Sequence, residues 1–347
     1  GEPSIHPQIT AMLRAAKERN IRNVMLNTNG KRIARDDEFL ADLEELKPTI
    51  YLQFDGFDRR TYEVIRGEPD ILDEKLRAID RLTAIGCLVV LVPAIQQGVN
   101  EHELGRIIDF GIAQSAVKGI NFQPAFYAGR HPQHDALERL TIPDLLRHIE
   151  AQTEGRFTVN DFVPVPCCFP TCNSVTYAIV DGASVVPLPR LVDVDHYLDY
   201  ITNRVLPERK PETQRALEGL WSSAAVPGSE KAANDLAVTC ATCDPGTLQQ
   251  LDDLWGNVFM VMLQDFMDPW TFNQKNLMKC CKEFLLPDGH QIPFCAYNTV
   301  GYREQAREQL TRRERERRRA KRERRVWEPE PITFRFDAPN GGRAKLP

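Results

Sequence analysis

Four short apolar runs, each followed by a helical pattern, constrain what the first half of this chain can fold into. Continuous apolar runs of this length are typical of strands buried on both faces of a parallel sheet. Right-handed crossovers place the loops after such strands on one rim, where α/β folds bind their ligands. We therefore predict an α/β fold. The strand runs are Asn23–Thr28, Ile50–Asp55, Cys87–Ile95 and Val117–Gln123, and the helical patterns that follow begin near Asp36, Arg59, Leu72, Glu101 and Pro143.

The four loops after these strands are polar and contain glycine. Glycine permits positive φ and close approach of the backbone to a ligand. Each loop alone is weak evidence, because many loops contain glycine, but four on one rim indicate a cofactor pocket. The loops are Thr28-Asn29-Gly30, Asp55-Gly56-Phe57, Gln96–Asn100 and Phe126–His131.

Charge and hydropathy exclude several classes of protein. The 347 residues are 42% hydrophobic and 27% charged, which is ordinary globular usage. The segment Thr311–Arg325 holds ten Lys or Arg and three Glu, so it contributes +7 to a net charge of −5 and the remainder carries −12. An acidic body offers no general nucleic-acid surface. The longest apolar run, Cys87–Ile95, is too short to span a bilayer, and we expect a cytoplasmic protein.

Several strand-end motifs resemble the radical S-adenosylmethionine (SAM) enzymes, namely Gly1-Glu2-Pro3, Thr28-Asn29-Gly30, Gln53–Gly56 with Tyr62, and Arg66-Gly67. The resemblance implies a partial (β/α) barrel that binds SAM and a 4Fe–4S cluster. It implies that Gly1, Glu2 and Pro3 bind the SAM amino group. It further places the remaining SAM-binding residues at the methionine carboxylate or ribose (Thr28, Asn29, Gln53, Asp55, Arg66) and near the adenine (Ile95, Gly98, Gln123).

The family's C-x3-C-x2-C motif, which holds the SAM-binding cluster, is absent from this sequence. In the family this motif precedes Gly-Glu-Pro. A helix follows Gly1-Glu2-Pro3, and the strand–helix alternation would put a strand before it. We therefore expect an N-terminally truncated fragment, unable to cleave SAM alone.

A longer resemblance points to one subgroup, which includes tetraether lipid synthases and archaeal dihydropterin dimethyltransferases. It rests on Lys47–Gly56, Arg66-Gly67, Asp161–Cys172 and Ile292–Tyr302. For the full-length protein it implies a 5′-deoxyadenosyl radical that activates an unactivated C–H bond, for C–C bond formation or methylation. The implied partners are a lipid or pterin-like small-molecule substrate and an external electron donor. The catalytic residues are not identified by this resemblance.

Eight of the nine cysteines lie in three groups in the second half. Thiolates spaced two to four residues apart can converge on one metal centre. Three interpretations stay open from the residues: structural zinc, buried inert thiols, or auxiliary iron–sulfur clusters, which the family resemblance favours. Cys87 opens an apolar strand and is expected in the core. The candidate ligands are Cys167, Cys168, Cys172, Cys240, Cys243, Cys280, Cys281 and Cys295.

These features predict three regions: a barrel portion over 1–135, a Cys-rich α+β auxiliary-cluster domain over 136–310, and a basic tail over 311–347. The tail lacks an apolar face, so we expect a solvated helix or a disordered extension, with peripheral contact to an anionic membrane as the second interpretation. Two other functions remain open from the residues: a non-catalytic metal-binding or interaction protein on a degenerate barrel, and a (β/α) enzyme with structural zinc.

Overall fold

The computed structural model describes residues 1–19, 21, 23–128, 137–165, 169–182, 184–190, 257–323, 326 and 333–336. The chain divides into two compact units. The first takes in the described parts of Gly1–Ala125, Arg139–Pro166 and Pro170–Asp265, and the second those of Phe126–Glu138, Cys167–Phe169 and Phe266–Pro347.

Within the described residues, the first unit is built on a nine-stranded sheet. Its strands are β1 (Met25–Thr28), β2 (Thr49–Gln53), β3 (Val89–Val92), β4 (Ala94–Ile95), β5 (Val117–Pro124), β6 (Val163–Pro164), β7 (Asn173–Asp181), β8 (Ser184–Pro187) and β9 (Val258–Gln264). The order is β1-β2-β3-β5-β9-β7-β6, with β4 beside β5 and β8 beside β7. Neighbours from β1 to β9 in this order are parallel, whereas β7 runs antiparallel to β9. This largely parallel sheet confirms the predicted α/β fold.

Helices follow the strands as the sequence pattern predicts. They are α1 (Ile9–Glu18), α2 (Lys31–Arg35), α3 (Asp37–Leu46), α4 (Arg59–Arg66), α5 (Leu72–Ala84), α6 (Leu104–Ala113) and α7 (Ile142–Gln152). The start of α3 is fixed by Asp36, whose side chain accepts a hydrogen bond from Phe39 N. Alternate strand residues, such as Leu52, Leu91 and Phe122, are fully buried in the apolar core that these helices share.

The opposite face of the sheet carries the residues that alternate with this core. Tyr51 on β2 and Tyr177 on β7 both lie there. Burial raises the pKa of Tyr51 to about 12, and burial together with the nearby Tyr51 phenol raises the pKa of Tyr177. In the sheet order, β3, β5 and β9 lie between these two strands. We call the face that carries Tyr51 and Tyr177 the inner face.

Strand β9 lies in the centre of the sheet, between β5 and β7. Every one of its residues is buried. The Met-rich stretch Trp255–Trp270 thus supplies a core strand, and strands from beyond residue 135 extend the sheet of the first unit. Because 191–256 fall outside the described residues, the Cys-rich auxiliary domain stays a prediction.

The second unit contains a β-hairpin and three helices within its described residues. These are β10 (Glu283–Leu285), β11 (Gln291–Pro293), α8 (Gln274–Leu277), α9 (Phe294–Thr299) and α10 (Tyr302–Arg322). Aromatic rings pack around the start of α9, where the ring centroids of Phe266 and Phe294 are 4.4 Å apart and those of Phe284 and Tyr297 are 4.2 Å apart.

Helix α10 carries most of the basic segment. Of its residues, only Ala306 and Ala320 are buried. Glu314 forms ion pairs with Arg317 and Arg318, and these hydrogen bonds lower the pKa of Glu314 to about 2. The part of the basic segment that α10 covers, up to Arg322, is therefore a largely solvated helix, and the tail over 311–347 as a whole stays a prediction. A search of the described helices finds none with the length and apolar character needed to cross a membrane.

Candidate functional site

Glu2 lies at the rim of the sheet and collects hydrogen bonds from two segments. Its side chain accepts from Ser4 N at 3.0 Å, from Thr28 Oγ1 at 2.6 Å and from Asn29 N at 2.7 Å. Burial alone would raise the pKa of Glu2, but these hydrogen bonds outweigh it and the pKa lies below its ordinary value. The rim therefore holds an ionised carboxylate that is partly exposed. Such a group suits an ammonium ligand.

The loop after β1 is fixed by glycine geometry. Gly30 has φ +81°, and its N donates to Thr28 Oγ1 at 3.2 Å. A Cβ at this position would lie 2.6 Å from Leu52 Cδ1. The close packing of this loop on β2 holds Thr28 and Asn29 in reach of Glu2. Two segments that the sequence predicts to bind SAM are thus brought together.

Asp55 and Arg66 form a second polar group at the end of β2. Arg66 Nε and Nη2 donate to Asp55 Oδ2 and Oδ1 at 2.7 and 2.8 Å. The Asp55 side chain is fully buried, whereas 32% of the Arg66 side chain is exposed. Asp55 Oδ1 also accepts from Ala94 N at 2.9 Å, and the Gln53 amide lies beside the same pair. The ion pair therefore fixes Arg66 at the rim.

Lys75 on α5 links the two polar groups, and the predicted SAM-binding residues do not include it. Its Nζ donates to Asn29 O at 2.6 Å and lies beside the Gln53 side-chain amide. Only 1% of the residue is exposed, and burial lowers the pKa of Lys75 to about 8. One signal was available in the sequence: Lys75 stands three residues after Leu72 and four before Ile79, on the apolar face of its helix.

The lowered pKa of Lys75 predicts a pH-dependent stability. Below pH 8 the lysine is charged in both folded and unfolded chains, so the folded state bears the full cost of burying the ammonium. Between pH 8 and its ordinary value of 10.5, only the unfolded chain keeps the proton, and the free energy of unfolding rises with pH. A shift of this size corresponds to about 3 kcal/mol. Urea unfolding of wild type and Lys75→Met at pH 7 to 10 measures it.

The Lys75→Met variant serves as the control for other titrating groups, since the buried tyrosines titrate in both proteins. We expect the wild-type free energy of unfolding to rise relative to that of the variant across this window. Parallel pH profiles for the two proteins would mean that Lys75 keeps an ordinary pKa in the folded state.

Of the three residues predicted near the adenine, two lie on β4 and β5, and Gly98 lies in the turn after β4. Ile95 is fully buried on β4, and Gln123 on β5 is paired in register with Ala94. Gly98 has φ +72°, and its N donates to Glu101 Oε1 at 2.7 Å. Asn100 links this region to the Asp55–Arg66 pair, because its Nδ2 donates to the backbone oxygen of Asp55 at 2.8 Å.

Glu103 supports the loop that follows Asp55 and lies outside the predicted site. It is almost fully buried, and its Oε1 accepts from Phe57 N at 2.9 Å. Gly56 has φ +141°, and a Cβ there would lie 2.0 Å from Glu103 Oε2. The glycine of this rim loop is therefore required by both conformation and space.

The cysteine ligands are only partly described. Cys167, Cys168, Cys240 and Cys243 lie outside the described residues. In the second unit, Cys280 is half-buried, Cys281 is exposed and Cys295 is buried, while Cys172 immediately precedes β7 in the first unit. Cys295 Sγ accepts from Met267 N at 3.3 Å, and Cys280 Sγ accepts from Lys282 N at 3.4 Å. Across the described ranges, no three His, Cys, Asp or Glu side chains are grouped to hold a metal ion.

Comparison with known proteins supplies the family. Residues 1–111 match the Radical SAM superfamily. Over 348 aligned residues the chain is 31% identical to the 7,8-dihydro-6-hydroxymethylpterin dimethyltransferase of Methanocaldococcus jannaschii, covering 90% of this chain and 67% of that relative.

Two further relatives match over shorter lengths. The probable GTP 3′,8-cyclase of Pyrococcus abyssi is 29% identical over 34% of this chain and 37% of its own length. The GTP 3′,8-cyclase of Klebsiella pneumoniae is 33% identical over 31% of this chain and 32% of its own length. Together with the rim geometry, these matches show that the chain belongs to the radical SAM superfamily of enzymes.

Proposed function

We propose that this enzyme activates an unactivated C–H bond of a pterin-like small molecule and that methylation or C–C bond formation follows. The observation that carries the proposal is the ionised Glu2 carboxylate, held by Thr28 and Asn29 at the rim of a parallel sheet. The substrate class is drawn from the name of the Methanocaldococcus relative, a pterin dimethyltransferase.

Family membership brings SAM and a 4Fe–4S cluster as cofactors. The rim residues fit SAM. Glu2 offers a carboxylate to the SAM ammonium, and Arg66, partly exposed and fixed by Asp55, offers a guanidinium to the SAM carboxylate. With one electron from the reduced cluster, bound SAM would supply the radical chemistry that takes a hydrogen atom from the substrate.

The rest of the rim positions these two charges. Lys75 holds the Asn29 carbonyl and lies beside Gln53, so the loops after β1 and β2 keep a fixed separation. The β3–β5 rim, with Ile95, Gly98 and Gln123, is assigned to the adenine by the same family pattern. The chain itself thus binds and orients, while the cofactors supply the electron and the radical.

The eight cysteines are proposed as auxiliary-cluster ligands. Amide donors to sulfur are a feature of iron–sulfur ligation, and the contacts from Met267 N to Cys295 and from Lys282 N to Cys280 support this assignment in the second unit. Iron and sulfide analysis of anaerobically purified protein tests it. Zinc in place of iron would contradict it.

The test of the function uses the full-length protein, anaerobically reconstituted and reduced, with SAM. We expect 5′-deoxyadenosine, and a product bearing new methyl groups when 7,8-dihydro-6-hydroxymethylpterin is added. Membrane lipid is assayed in parallel, since lipid coupling is the other reaction of the resembling subgroup. Absence of 5′-deoxyadenosine under strong reduction would contradict the radical mechanism, and a product from lipid alone would contradict the pterin assignment.

A further inference from the structure

Two side-chain amides meet on the inner face of the first unit. Asn121 on β5 and Gln264 on β9 come from adjacent parallel strands, and Asn121 Nδ2 donates to Gln264 Oε1 at 3.2 Å. They are 143 positions apart in sequence. Their neighbours Phe122 and Leu263 belong to the core shared with the helices, so the strand alternation directs both amides to the inner face.

The amide pair is incompletely bonded. Two facing amides can close two hydrogen bonds, yet these two make one. Asn121 is 3% exposed, and its Oδ1 is buried without a hydrogen-bond partner. Gln264 Nε2 makes no hydrogen bond to any part of the chain that the structure describes. Buried polar groups in proteins are normally satisfied, so the open Asn121 Oδ1, with the Gln264 amide beside it, indicates a ligand that supplies the missing donor.

We propose that Asn121 and Gln264 bind the lactam edge of the substrate, with Asn121 Oδ1 accepting from a ring N–H and Gln264 Nε2 donating to the adjacent carbonyl. A pterin carries this N–H and C=O pair, so the inference rests on the proposed function and names the residues that read its substrate. The inner face suits such a ring, since the buried apolar residue Met262 on β9 is paired in register with Asn121.

The test compares substrate recognition with SAM cleavage in the full-length reconstituted enzyme. Asn121→Leu removes the acceptor with little change in size. We expect the KM for 7,8-dihydro-6-hydroxymethylpterin to rise at least 30-fold, while 5′-deoxyadenosine formed without substrate stays within twofold of wild type. Asn121→Asp keeps an acceptor and should restore KM to within about fivefold.

A ligand analogue and a matched variant complete the design. The 4-amino analogue of the pterin has no N–H beside a carbonyl, and we expect wild type to discriminate against it, whereas Asn121→Leu should treat both ligands alike. Thr176→Val makes a comparable polar-to-apolar change at a fully buried site on the other face of β7, and should leave KM unchanged.

The outcomes separate the two proposals. An Asn121→Leu enzyme with the wild-type KM would overturn the role of the amide pair. The role is also overturned if SAM cleavage without substrate is lost while the KM rises. If wild type forms 5′-deoxyadenosine at a rate that the pterin does not change, the substrate assignment is overturned and the SAM chemistry is retained. A wild-type enzyme that forms no 5′-deoxyadenosine overturns the proposed function as well.

Discussion

Replacing Asp55 by alanine is expected to lower the free energy of unfolding by about 3 kcal/mol, because removal of one partner of a buried ion pair leaves the other uncompensated. The lost carboxylate holds two nitrogens of Arg66 and also accepts from Ala94 N. Arg66 remains partly exposed to water, so the expected loss of unfolding free energy lies at the lower end of the range for broken buried ion pairs. Urea unfolding at pH 7 measures the change.

A double-mutant cycle isolates the pair itself. Arg66→Leu leaves a fully buried carboxylate, and we expect a coupling energy of about 2 kcal/mol between positions 55 and 66. The exposed pair between Arg59 and Asp70 uses the same helix α4 and has side chains that are 70% and 78% exposed. Its cycle should give about 0.5 kcal/mol or less. Equal coupling in both cycles would mean that burial does not strengthen the Asp55–Arg66 pair.

Strands β1 to β5 and most of the helices that follow them were predictable because each is determined locally. Apolar runs such as Ile50–Asp55 are buried strands, and the Gly-bearing loops that follow them lie on one rim, as strand–helix alternation requires. Glycine at 30 and 56 is explained by positive φ, which local sequence already suggests. The rim location of Glu2, Thr28 and Asn29 follows from the same alternation.

Other features depend on packing between distant segments, so periodicity alone could not predict them. Strand β9 lies beside β5, which is more than a hundred positions earlier in the sequence, and the Asn121–Gln264 pair exists only through that placement. The sequence spacing also does not show that the Asp55 carboxylate accepts hydrogen bonds from Arg66 and Ala94 N, because a carboxylate at a strand end can equally face a ligand. Lys75 is the intermediate case: a charge on an apolar helix face signals burial, but its partners come from other elements.

Glu2→Gln is expected to reduce 5′-deoxyadenosine formation by the full-length enzyme about 30- to 150-fold, with a raised KM for SAM. The substitution removes the negative charge that faces the proposed ammonium, an interaction of about 2 to 3 kcal/mol for a charged hydrogen bond. Glutamine also replaces one of the two carboxylate oxygens by an amide nitrogen. Both oxygens now accept hydrogen bonds, one from Thr28 Oγ1 and the other from Asn29 N. The rate is measured anaerobically across a range of SAM concentrations.

Two variants separate charge from position at this site. Thr28→Val removes one hydrogen bond to the Glu2 carboxylate but keeps its charge, so we expect only a small loss, about three- to tenfold. Glu44→Gln makes the same chemical change at an exposed position on α3 and should not affect turnover. If charge at the rim is what binds SAM, the losses must rank as Glu2→Gln, Thr28→Val, Glu44→Gln. A Glu2→Gln enzyme within threefold of wild type would show that the ammonium is held elsewhere, whatever the family pattern implies for Gly1-Glu2-Pro3.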